Sequence, residues 1–113
     1  MRPQITQQFK TLESLCGAPF VQEMIGLFLT ESETRLSLIE SLLTEGKLME
    51  IGQLFHKLQG SAASIDALRL RRLCALGEEA CARGDIKQAT RIFQLCLLEA
   101  NRLRPAFLRW KPQ

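Results

Sequence analysis

Residues Leu48 to Ile65 read LMEIGQLFHKLQGSAASI. On a helical period of about 3.6 residues, Leu48, Ile51, Phe55, Leu58, Ala62 and Ile65 fall three and four apart and form one continuous apolar stripe. Such a stripe faces a core. His56, the sole histidine of the chain, is off it. At about 100° per residue, the ring stands roughly 130° around the helix from the stripe's centre. One turn away lie Gly52, Gln53, Gln59 and Gly60, with Ala63 two turns on, all small or polar. A glycine inside a helix costs about 1 kcal/mol relative to alanine, and two of them flank this histidine. The spacing predicts an imidazole on the outside of a helical bundle, uncrowded, with side-chain bulk cleared so that another protein can approach.

The rest of the chain supplies partners for the stripe. Ile5, Phe9, Leu12 and Leu15 are spaced for a short amphipathic helix over about residues 4–16. Gly17-Ala18-Pro19 breaks it, and Pro19 suits the first turn of the next helix, where a missing N–H matters little. That helix reaches about Thr44, with Phe20, Met24, Ile25, Phe28, Leu36, Ile39, Leu42 and Leu43 along one side and a polar stretch from Thr30 to Arg35. Gly46 stops it, and a connection this short makes the His56 helix run antiparallel. Asp66 is the expected N-cap of a helix from Ala67 to about Arg83, whose inward positions are Leu70, Leu73, Cys74, Gly77, Ala80 and Cys81. Gly84 and Asp85 repeat the stop and cap. The last helix, from Ile86 towards Arg104, carries Ile86, Ala89, Phe93, Cys96, Ala100 and Leu103. Pro105 should end or kink it, with Phe107 and Trp110 covering one end of the core. The expectation is an all-α chain: an antiparallel up-down four-helix bundle over about residues 19–104 with a short extra N-terminal helix, all in one domain of 113 residues.

Composition excludes several classes. Hydrophobic residues make up 46%, enough for a core and too many for disorder. No apolar run is long enough to span a bilayer and no signal peptide opens the chain, so a cytoplasmic protein without a membrane partner is expected. Cys16, Cys74, Cys81 and Cys96 form no CxxC pair. A zinc site would need ligands converging from several helices with His56 turned inward, so reduced, core-filling thiols and no metal are expected. The net charge of +3 is spread out, densest at Arg69, Arg71 and Arg72 and again from Arg102 to Lys111. Such runs are usually solvated faces, whereas a nucleic-acid surface is more concentrated and interleaved with exposed aromatics. A nucleic-acid-binding domain using that arginine cluster would show steep salt dependence; no nucleic-acid partner is expected. No G-x-S-x-G, H-E-x-x-H or phosphate-binding Gly-rich loop is present. His56 has no acid within one turn of its own helix, Glu50 being the nearest in sequence.

An exposed imidazole is a competent nucleophile toward an activated phosphoryl group, and such transfer depends mostly on positioning and charge neutralisation. A carrier needs only the ring, room for a partner, and donors near the phosphate, which Gln59 and Lys57 can supply. Here the sequence resembles a known family. His56-Lys57-Leu58-Gln59-Gly60-Ser61-Ala62 is similar to the H-x-L-K-G-S-[SA] signature of histidine phosphotransfer (HPt) domains. Ala67, Leu70, Cys74, Glu78 and Arg83-Gly84-Asp85 follow at similar spacings, and the likeness covers about residues 20–103. Two departures stand out: Gln59 replaces the usual lysine, and Asp66 replaces a common glycine. The resemblance implies a phosphorelay carrier that takes a phosphoryl group on His56 from a phospho-aspartyl receiver domain and passes it to another. Gln59, Lys57 and Gly60 would neighbour the phosphate, and Gly52, Gln53 and Ala63 would lie on the docking surface. It further implies a monomer with no kinase or ATP site, no cofactor of its own, Mg²⁺ on the receiver, and response-regulator receivers or a hybrid sensor kinase as partners. The alternative is a degenerate HPt-like module that docks without phosphotransfer, for which Gln59 is the best argument.

Overall fold

A computed structural model describes residues 3–112, with side chains from Gln7 onward. It has five helices: α1 (Pro3–Cys16), α2 (Ala18–Glu45), α3 (Leu48–Ser64), α4 (Leu68–Ala82) and α5 (Ile86–Leu108). The expected first helix thus starts at Pro3; the side chain of Ile5 lies outside the described residues.

Around the bundle, α2 packs on α3, α3 on α4, α4 on α5 and α5 back on α2, with α1 against α2. Cross-helix pairs show that neighbours run antiparallel. Phe55 of α3 meets Gly77 of α4 while the earlier Gly52 meets the later Cys81. Likewise Phe28 of α2 touches Phe107 of α5, and the later Glu33 pairs with the earlier Arg104. The result is a rod of 45 × 20 × 20 Å, the expected antiparallel four-helix bundle with an added N-terminal helix.

The stripe of α3 is buried as expected, from Ile51 through Phe55, Leu58 and Ala62 to Ile65. In α2 the buried line is Val21, Ile25, Phe28, Ser32, Leu36 and Ile39. Ser32 carries it through the polar stretch from Thr30 to Arg35, its hydroxyl donating to Leu29 O at 3.2 Å, so the buried line is continuous. Phe20, Leu15 and Ile86, expected inside, are exposed. Each sits in a terminal turn, where the neighbouring helix no longer covers every position. Cys74, Cys81 and Cys96 are buried free thiols, but Cys16 is exposed at the end of α1. Glu99 is the unforeseen buried charge, 4% exposed, within 3.4 Å of Arg102 and 3.9 Å of Arg69.

Two boundary expectations are corrected. Asp66 does not cap α4: the residue at that cap is Ala67, which makes no side-chain cap bond. Asp66 instead takes φ 59°, in the left-handed region. Its N–H donates to Ala63 O at 3.1 Å and Ala67 N–H donates to Ala62 O at 2.8 Å. Gly46 and Gly84 close α2 and α4 with the same bond pattern and positive φ. Asp66 therefore ends α3, in a turn that normally favours glycine. The second correction is Pro105, which does not end α5; the helix continues to Leu108. Proline removes one helical bond, but Phe107 in the next turn is buried between Phe9 and Phe28, with ring centroids 5.5 and 5.3 Å away. That packing, with Trp110 on Phe9 at 6.0 Å, holds the last turn and covers one end of the core.

Candidate functional site

The site starts from a missing side chain. A Cβ at Gly77 would lie 2.8 Å from the Phe55 ring. Glycine there lets α4 approach α3 over the ring's face. The next residue on each helix is then brought together: His56 on α3 and Glu78 on α4. His56 Nδ1 lies 3.2 Å from Glu78 Oε1. The ring is nonetheless 71% exposed and the carboxylate 41% exposed. The expectation of a ring free of neighbours is corrected on this point: it has an acidic partner, supplied by another helix.

This contact assigns the two nitrogens. A carboxylate only accepts hydrogen bonds, so Nδ1 carries the proton and donates to Glu78. In the neutral ring Nε2 is then the bare lone pair. Cys81 adds no second nucleophile here. Its thiol is pushed up by burial and then by the negative charge of Glu78, so it stays protonated.

An open groove of about 610 Å³ runs along the α3–α4 seam beside the ring. Gly52, Gln53, His56 and Lys57 line it from α3, facing Glu78 and Cys81 of α4. Leu48, Met49 and Ala82 form its apolar end, where Met49 is strongly exposed. Gln59, Gly60 and Ala63 are not among its lining residues; they continue the same face of α3 toward its C-terminus. Gly60 is exposed, and a Cβ there would meet nothing within 4 Å. Gly52 differs. A Cβ there would lie 3.3 Å from the Cβ of Cys81, so its small size serves the packing of α3 on α4. Gln59 is half-buried.

Arg35 of α2 reaches α3 from the other seam. Its Nη1 donates to Ser61 Oγ at 2.6 Å and pairs with Glu31 at 3.3 Å. Other arginines are similarly engaged, Arg69 and Arg102 with Glu99, Arg83 with Glu79 and Arg104 with Glu33. Among the described residues no group of His, Cys, Asp and Glu gathers as a metal site, and no helix is long and apolar enough to cross a membrane.

Glu78 is not legible along α3, because the acid that meets His56 comes from α4. The usable signal was Gly77: a small residue on the inward line of α4 marks close approach, and the residue beside it emerges at the seam.

Comparison with known proteins identifies the family and the fold. A histidine-containing phosphotransfer protein of Arabidopsis thaliana (number 4) is 28% identical over 109 residues, spanning 92% of this chain and 86% of its own length. A second Arabidopsis histidine-containing phosphotransfer protein (number 2) is 29% identical, over 88% of this chain and 68% of its own. The crystal structure of a maize histidine-containing phosphotransfer protein superposes with a TM-score of 0.85 at 24% identity, over 93% of this chain and 78% of that one, which shows the shared fold. The Hpt domain family matches residues 23–106, about three quarters of the sequence, and the chain belongs to that family.

Proposed function

We propose that His56 is the phospho-accepting residue of a phosphorelay carrier, as the family membership supports. The observation that carries this is the exposed ring with Nδ1–H held by Glu78, which leaves Nε2 as the nucleophile. Nε2 attacks the phosphorus of an aspartyl phosphate on a receiver domain. The P–N bond forms as the bond from phosphorus to the aspartyl oxygen breaks, and the carboxylate leaves. The ring becomes a phosphorylated imidazolium whose Nδ1–H stays on Glu78, and that carboxylate offsets the new positive charge. Reversal onto a second receiver discharges the carrier.

The groove beside the ring, with Gly52 and Gln53, serves as the docking surface, continued by Gly60 and Ala63. Gln59 and Lys57 are the donors nearest the phosphoryl group. Mg²⁺ belongs to the receiver; the chain acts as a monomeric cytoplasmic carrier, without cofactor or kinase activity. One observation favours a second reading, docking without transfer: Gln59, where the family's lysine would stand, brings no charge and lies outside the groove.

The test uses a panel of phosphorylated receiver domains and asks for acid-labile, base-stable label on the protein. His56→Gln should abolish label while helix content is unchanged. Acid-labile label retained on that variant, or no label on the wild type from any receiver, would refute the assignment.

A further inference from the structure

We infer that Lys57 supplies the positive charge for the phosphoryl group on His56, in place of the lysine that the sequence lacks at Gln59. The inference rests on the phospho-acceptor role proposed above.

The charges around the ring decide which side chain can do this. A phosphoryl group on Nε2 brings close to two negative charges near neutral pH. The carboxylate of Glu78, 3.2 Å from the same ring, is matched by the imidazolium charge, which leaves the phosphoryl charge without a cation of its own. Three side chains on or near α3 are candidates. Gln59 carries no charge. Arg35 is committed to Ser61 Oγ at 2.6 Å and to Glu31 at 3.3 Å, on the seam with α2 rather than α4. Lys57 is exposed and lines the groove together with His56 and Glu78. Among the described residues no carboxylate pairs with its ammonium. A flexible four-carbon stem lets that ammonium follow the phosphoryl oxygens, as a point charge rather than a fixed fork. In a loose transition state for P–N cleavage, charge leaves those oxygens. A cation beside them therefore stabilises the phosphorylated ground state more than the transition state, and slows spontaneous loss of the group.

The experiment labels the whole protein with phosphoramidate, so that no receiver contributes charge. Nε2 attacks phosphorus, the donor's P–N bond breaks, and ammonia leaves. The half-life of phospho-His56 is then followed at neutral pH in low and high salt. Lys57→Gln should shorten it about threefold to fivefold at low salt, the range of an exposed ion pair. The difference should vanish near 1 M salt, where charges are screened beyond about 3 Å. Lys57→Arg should keep the wild-type lifetime, and adding Gln59→Lys to Lys57→Gln should restore it. An unchanged lifetime in Lys57→Gln, or an equal loss in Lys57→Arg, overturns the inference and leaves the acceptor role standing. Failure of the donor to label His56 of the wild type overturns both.

Discussion

Gly60→Ala should make the protein more stable and a poorer phosphotransfer partner. Gly60 lies within α3, exposed, with no atom within 4 Å of where a Cβ would stand. Nothing in the folded state resists a methyl group there. The helical preference of alanine over glycine is about 1 kcal/mol, part of it from a less disordered unfolded chain. The net gain should be about 0.5–1 kcal/mol, or roughly 2–5 °C in melting temperature for a chain of this size. Urea unfolding followed by circular dichroism measures it, with the slope unchanged. The same change at Gly52 is the internal control: its Cβ would press on Cys81 at 3.3 Å, so the helical gain should be largely cancelled. Phosphotransfer from a receiver domain, timed with both variants, then tests the reason for the glycine. If Gly60 clears the approach to His56, Gly60→Ala slows transfer while raising stability. A variant that is more stable and equally fast would refute the clearance argument. One that is no more stable would refute the reading of Gly60 as an open helical glycine.

Gly77→Ala should destabilise by about 1–2 kcal/mol, because overpacking at the Phe55 ring exceeds the helical gain. It should also move Glu78 away from His56, visible in imidazole ¹⁵N shifts as a loss of the fixed Nδ1–H tautomer. Asp66→Gly should stabilise by about 0.5–1 kcal/mol in urea unfolding, since glycine carries less strain in the left-handed turn that ends α3. The neighbouring Cys96 thiol first, and burial second, push the Cys74 thiol far above its ordinary pKa. Its contribution is therefore complete below the unfolded thiol pKa of about 8.5, and above that the unfolded chain loses a proton the folded chain keeps. Stability should fall by up to about 1.4 kcal/mol per pH unit above pH 9 from this thiol. Cys74→Ala, though less stable at pH 7, should show a correspondingly shallower alkaline slope.

What the sequence determined is what depends on a few neighbouring residues. The spacing of Ile51, Phe55, Leu58, Ala62 and Ile65 fixed a helix, its buried face and the outward position of His56. Gly46, Gly84 and Asp85 fixed where helices end and begin, because a positive φ and a side-chain cap are local requirements. The resemblance of the stretch from His56 to Ala62 to the HPt signature carried the family. What only the tertiary structure decided involves two helices at once. Glu78 reaches His56 because Gly77 admits the Phe55 ring, and neither sequence neighbourhood contains the other. Gly52 proved tight against Cys81 while Gly60 proved open, although along α3 they look alike. Pro105 stays inside α5 because Phe107 is held between Phe9 and Phe28, residues brought from α1 and α2. Asp66 has the chemistry of a cap, and ends α3 instead because the turn between the packed helices α3 and α4 demands a left-handed residue there. Hydrophobic periodicity says which face is buried; it carries no record of the side chain that will lie across from it.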